Sequence, residues 1–132
     1  MGTEKESKVR IIESLDQEPS FIVRVCTMDD LEGVIAVNEK ELPEDYPFFF
    51  YKSILNKFPE AFLVAAPKLR PDEIIGYIMW RIEKSPSKES IKLIHKAHLV
   101  SIAVLEEHRR QGIASALLAK GMPRLKKHHL KE

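Results

Sequence analysis

Apolar residues along this chain follow two rhythms, a period of two and a period near 3.6, and prolines and glycines mark the changes between them. Phe21 to Val25 is short, apolar and β-branched, and it predicts a strand. Thr27 then opens a helix: its hydroxyl can cap the amide of Asp30, and acidic Asp29 and Asp30 suit the positive helix end. Leu31, Val34, Ile35 and Leu42 return to one face at helical spacing, which predicts a buried stripe. Leu42-Pro43-Glu44-Asp45-Tyr46-Pro47 is a break, because its two prolines cannot share a regular helix interior. Tyr51, Ile54, Leu55 and Phe58 recur as i, i+3, i+4 and i+7 and predict a second helix, with Pro47 in its first turn and Pro59 closing it.

Phe62 to Ala66 and Ile74 to Ile82 predict two strands, and the polar, proline-bounded stretch between them predicts an antiparallel hairpin. Ser85 to Ser90 is a polar loop, and a further strand follows from Ala97 to Val104 with Val100, Ile102 and Val104 on one side. A last helix places Ile113, Ala116 and Leu117 inward, and Gly121 and Pro123 argue against its continuing without interruption. Met1 to Ser20 reads as a flexible leader outside the core. The aromatic run Phe48 to Tyr51 and the lone Trp80 read as core and wall packing.

Composition narrows the function classes. At 132 residues, with 44% hydrophobic and 31% charged, the chain suits one globular domain. Lys plus Arg is 21 against 20 for Asp plus Glu, a balance that argues against coating nucleic acid or anionic lipid. The basic tail of Lys126, Lys127, His128, His129 and Lys131 reads as a solvated end rather than an RNA contact. No apolar run approaches the roughly 18 residues of a membrane span. Cys26 stands alone, which excludes internal disulfides and a multi-cysteine zinc site, and predicts a cytoplasmic, reducing setting. His128 and His129 are adjacent and cannot share a helix face as paired ligands, so no metal is predicted.

The chemistry concentrates in Arg109-Arg110-Gln111-Gly112-Ile113-Ala114, between a strand and a helix. A glycine there lets a ligand approach the backbone, and the helix start offers unpaired N–H groups and a positive dipole end, an anion site suited to a pyrophosphate. Small Ala114 keeps the first turn open. The bland alternative is an ordinary strand-to-helix turn with solvated arginines.

Arg109, Gly112 and Ala114 match the fixed places of the pyrophosphate signature Q/R-x-x-G-x-G/A of the GNAT acetyltransferases, and His98 to Val104 resembles that family's acetyl-CoA strand. Leu42 to Pro47 and Gly76-Tyr77-Ile78-Met79 resemble the archaeal protein N-terminal acetyltransferases, relatives of the catalytic subunit of N-terminal acetyltransferase A. The resemblance, from about Phe21 to Leu118, implies an α/β fold with a GNAT-type mixed sheet: strand, two helices, three strands, helix. It implies acetyl-CoA as cosubstrate, held through backbone groups of Ile102 and Val104 and of Arg110, Gln111, Gly112, Ile113 and Ala114, with Arg109 in the signature. It implies Glu44 and His98 as the groups that deprotonate the amine, and Pro43, Glu44 and Tyr46 as the pocket for the first peptide residues. Its partners would be protein N-termini, with an auxiliary subunit or the ribosome. The family fold continues with a strand, a helix carrying a tyrosine acid, and two strands, so residues 21–132 are expected to form a C-terminally incomplete domain whose open sheet edge favours association.

The implied chemistry fits the residue types. A protein α-amine has a pKa of about 7.7–8.0 against about 10.4 for lysine, so a modest base such as Glu44 or His98 suffices near neutrality. Cys26 lies outside these motifs, which favours direct attack over an acyl-cysteine. Two rival readings stand beside this one: a module that binds CoA or a partner without transfer, and an enzyme acting on lysine or a small amine.

Overall fold

The pleat of each predicted strand sorts its side chains onto two faces, and both faces are covered. The computed structural model describes residues 20–86 and 93–125. Strands β1 (Phe21–Val25), β2 (Leu63–Pro67), β3 (Gly76–Pro86) and β4 (Leu93–Val104) lie in that order, each antiparallel to its neighbour. Helices α1 (Leu31–Glu41) and α2 (Phe48–Lys57) separate β1 from β2, and α3 (Ile113–Leu125) follows β4. This is the α/β order that the sequence predicts.

On one face, Leu31, Val34 and Val37 of α1 and Tyr51, Ile54 and Leu55 of α2 pack with Val64, Tyr77, Met79 and Ala103. On the other, Ile113, Leu117 and Leu125 of α3 pack with Leu63, Ala65, Ile78, Trp80 and Val104. Alternate residues of β2 and β3 thus divide between the two layers, as a period of two requires. Burial of each large aliphatic or aromatic side chain contributes about 1.5–3 kcal/mol.

Thr27 does open the helical segment, through a 3-10 turn at Met28–Asp30 that runs into α1. The Asp30 carboxylate accepts the Thr27 N–H at 2.8 Å and its hydroxyl at 2.9 Å. The same carboxylate takes a forked pair from Arg24 at 2.6 and 2.7 Å, tying β1 to the start of α1. Burial, the largest single influence, pushes the Asp30 carboxyl up, but Arg24 and Thr27 outweigh it and hold it below the ordinary carboxylate range.

Four expectations are corrected. The last helix does not break at Gly121 or Pro123. A β-carbon on Gly121 would sit 3.2 Å from the Trp80 indole nitrogen, so the glycine is there for close packing, and burial of Leu125 beyond it offsets the poor helix propensities. Ser85 and Pro86 belong to β3 rather than to a loop. Phe48 and Phe49 are not core residues: they are 53% and 71% exposed on the first turn of α2, where the stripe of Tyr51, Ile54 and Leu55 turns away from them. Val100 does not share a side with Ile102 and Val104, for a reason that matters to the site. The leader up to residue 19, positions 87–90 of the loop and the basic tail from Lys126 lie outside the described residues.

Candidate active site

Strict alternation would put His98, Val100, Ile102 and Val104 on one face of β4. The ladder interrupts it. Met79 pairs with Ser101 but Trp80 pairs with Leu99, so Val100 is an extra residue opposite the Met79–Trp80 step, a β-bulge. Val100 and Ser101 consequently face the same layer: Val100 packs against the α1–α2 cluster, and the Ser101 hydroxyl meets the Tyr77 hydroxyl of that cluster at 2.8 Å. Ile102 packs on the α3 side and Ala103 again on the α1–α2 side. A one-residue slip flips everything beyond it. His98, paired with Arg81, therefore comes to the α1–α2 face, which a regular strand would have denied it.

The segment joining α1 to α2 passes over that same face. Pro43 and Glu44 are exposed there, and Tyr46 is half-buried, stacked on Phe50 with ring centres 4.9 Å apart and edge-on to Tyr51 at 5.9 Å. Glu44 lies near enough to Tyr77 for its charge to help raise the phenol, although burial is the main cause of that rise. Glu44 and His98 thus share a side of the sheet without touching through any described hydrogen bond.

Past the end of β4 opens a cleft of about 430 Å³. Its walls are Ile102, Ala103 and Val104 of β4, Glu41 and Leu42 at the end of α1, and Arg109, Arg110, Gly112, Ile113, Ala114 and Ser115 around the start of α3. Backbone geometry shapes the last group. Arg110 has φ 66° and Gly112 φ 80°, so the chain coils through left-handed conformations just before the helix. Ala116 donates the first helical hydrogen bond to the Gly112 carbonyl at 2.9 Å, leaving earlier amides at the mouth of the cleft without an intrahelical acceptor. A β-carbon on Gly112 would meet nothing within 4 Å, so the backbone there is open to approach. An oxygen-rich anion fits this cradle.

Arg109 does not add its charge to the cradle. Its Nε donates to the Val104 carbonyl at 3.1 Å and its Nη2 to the Glu41 carboxylate. The other Glu41 oxygen accepts the Glu106 N–H at 3.0 Å. Arg109 therefore holds the loop together. Gln111 is the one predicted backbone contact that does not line the cleft, and its side chain lies 3.5 Å from the Ser20 hydroxyl instead.

The sequence pattern of the Acetyltransferase (GNAT) family matches residues 15–132. The chain belongs to the GNAT acetyltransferase family. It is 42% identical to an N-alpha-acetyltransferase of Saccharolobus solfataricus over 113 residues, covering 84% of this chain and 66% of that protein. Among solved structures, Naa20 of Chaetomium thermophilum in complex with a bisubstrate analogue superposes with a TM-score of 0.67 at 29% identity, covering 83% of this chain and 58% of that one. A chain of the NatC complex bound to Gag peptide and CoA superposes with a TM-score of 0.72, covering 84% of this chain and 70% of that one; its 19% identity speaks for the fold alone. The chain spans about two thirds of the length of the curated archaeal relatives it matches, between 63% and 70%.

As a GNAT domain the molecule uses more of α1 than sequence reasoning assigned to the site. Glu41, Leu42, Ala103 and Ser115 line the cleft and were not foreseen. Glu41 gives no periodic signal: it sits where α1 ends, and only the approach of the loop after β4 makes it a wall. Cys26 is buried, and burial pushes its thiol up to about 12, which disfavours the thiolate. Among the described residues, no group of three or more His, Cys, Asp or Glu could hold a metal ion, and no helix is long and apolar enough to cross a membrane.

Proposed function

We propose that this chain transfers an acetyl group from acetyl-CoA to the α-amino group of protein N-termini. The observation that carries the reading is the bulge in β4: it turns His98 to the side of the sheet that Glu44 overlooks, while the same strand's end lines the cleft beside the left-handed turn at Gly112. The names of the curated relatives support the choice of acceptor.

Amides at the start of α3, from Arg110 through Ala114, would hold the CoA pyrophosphate. Backbone groups of Ile102 and Val104 would align the thioester arm along β4. Pro43, Glu44 and Tyr46 would seat the first peptide residues. Glu44 and His98 would take the proton from the incoming amine, directly or through water, a modest task given an α-amine pKa of about 8. Backbone N–H groups near the bulge would stabilise the negative charge that develops on the carbonyl oxygen, commonly the largest catalytic contribution. Acetyl-CoA would supply the activated acyl group: the neutral amine would attack its carbonyl directly, forming the amide as the C–S bond breaks and the CoA thiolate leaves. Cys26 is buried and does not line the cleft. The setting would be cytoplasmic, with nascent chains as substrate and an auxiliary subunit, the ribosome or a second copy at the outer edge of β4 as partners.

Mass spectrometry of a synthetic peptide with a free N-terminus, incubated with the chain and acetyl-CoA, tests this. One added acetyl group on the free peptide, none on its N-terminally blocked, lysine-containing counterpart, is expected. Thermal stabilisation by CoA with no acetyl transfer would leave a binding module, and acetylation of the blocked peptide would make lysine the acceptor. Glu44→Gln is expected to lower turnover while leaving CoA affinity within about twofold, as befits a proton-transfer group.

A further inference from the structure

Three polar side chains meet inside the apolar layer beneath the α1–α2 segment. Asn38 and Tyr77 are 0% exposed and Ser101 is 6% exposed. Asn38 Nδ2 donates to the Tyr77 hydroxyl at 2.8 Å, and that hydroxyl lies 2.8 Å from Ser101 Oγ. A leucine, a phenylalanine and an alanine would occupy the same places without the desolvation that amides and hydroxyls suffer. Geometry suggests what the polar choice achieves.

Tyr77 is paired across the ladder with Ala103, so its hydroxyl reaches diagonally back along β4 to Ser101, the first regularly paired residue next to the bulged Val100. Asn38 anchors that hydroxyl to α1, one turn before Glu41 on the same helix grips Arg109 and the Glu106 amide. One helix therefore holds β4 at its bulge and again beyond its end. We propose that Tyr77 is a positioning residue: through Ser101, and steadied by Asn38, it fixes the β4 bulge that turns His98 to the Glu44 side. The proposal rests on the functional reading above for its kinetic consequence, but not for its structural one. A bulge is a local irregularity in a ladder, and with both faces of the sheet apolar here, a directional contact beside the extra residue adds to what packing specifies about where it sits. Burial raises the Tyr77 phenol, with the Ser101 and Asn38 hydrogen bonds offsetting only part, so the hydroxyl stays protonated and acts as a strut.

Tyr77→Phe and Ser101→Ala, each in the full chain, test this with three measurements: calorimetric CoA affinity, peptide acetylation, and amide signals of the 15N-labelled protein. Expected are CoA affinity within about twofold, turnover lower by about ten- to a hundredfold as for a small misplacement of reacting groups, and displaced amide signals at Leu99 to Ile102 with those of β1 in place. The double variant should lose no more than the worse single one, because both remove the same contact. Unmoved amides and unchanged turnover would overturn the proposal. Equal losses in CoA affinity and turnover would also overturn it, marking the residues as general supports of the fold. If the unaltered chain acetylates no peptide, the functional reading fails by itself, and the amide signals of the two variants still decide whether Tyr77 holds the bulge.

Discussion

Glu41 and Arg109 lock the end of α1 to the turn that follows β4. The Glu41 side chain is only 8% exposed, and both its oxygens are engaged, one by the Arg109 guanidinium and one by the Glu106 amide. Arg109 also holds the Val104 carbonyl. The arginine of the signature thus stabilises the loop that shapes the turn at Gly112, and in the proposed reading the pyrophosphate is left to backbone amides. Lysine's single ammonium nitrogen cannot reproduce the planar fork that places Nε and Nη2 on two separate acceptors. Arg109→Lys should therefore weaken CoA binding by about tenfold and lower stability by about 1–2 kcal/mol, on the scale of a lost charge-assisted hydrogen bond. Calorimetric titration with CoA and a denaturant melt check the two effects.

Gly112 combines a left-handed φ of 80° with open space where a β-carbon would lie. Gly112→Val should cost about 1–3 kcal/mol in backbone strain and also put a branched side chain in the cradle. CoA affinity is expected to fall at least about tenfold, beyond what the strain alone would produce in a thermal melt. An unchanged affinity would mean that the anion binds elsewhere.

Acid lability should trace to Asp30. Its folded-state pKa is depressed by Arg24 and Thr27 against the opposing effect of burial. Stability from this group is therefore present above the unfolded carboxyl value, about 3.9, and is lost as pH falls through the lower folded value. Asp30→Asn should lower stability at neutral pH by about 1.5–3 kcal/mol and flatten the decline below about pH 4. Urea melts at a series of pH values measure both.

Gly121 lies against Trp80, where an added β-carbon would sit 3.2 Å from the indole nitrogen and 3.8 Å from Leu63. Gly121→Leu should overpack this contact and cost about 1–3 kcal/mol despite leucine's better helix propensity. A raised melting temperature would show that the helix, and not the packing, governs this position.

The element order was legible because apolar periodicity is local: the stripe of Tyr51, Ile54 and Leu55 and the run Phe21 to Val25 each report a face that must be buried. Motif residues around Gly112 were legible because a glycine between a strand and a helix start leaves the backbone open to a ligand, a local feature that the structure bears out with a left-handed, unobstructed Gly112. The continuation of α3 through Gly121 and Pro123 was not, because it depends on burying Leu125 and on fitting Gly121 against Trp80 of β3, far away in the chain. Nor was the exposure of Phe48 and Phe49, which depends on how α2 is rolled against the sheet.

By itself, then, the sequence determined the order of strands and helices, where the glycine turn before the last helix falls, and which family the residues resemble. Only the tertiary structure decided which face of β4 each residue occupies. Side-chain direction along a strand follows pairing with a neighbour, and one extra residue at Val100 reverses it for His98. It also decided that Arg109 braces a loop and that Glu41 walls a cleft, because a charged group's partner is set by which distant segment the fold brings beside it.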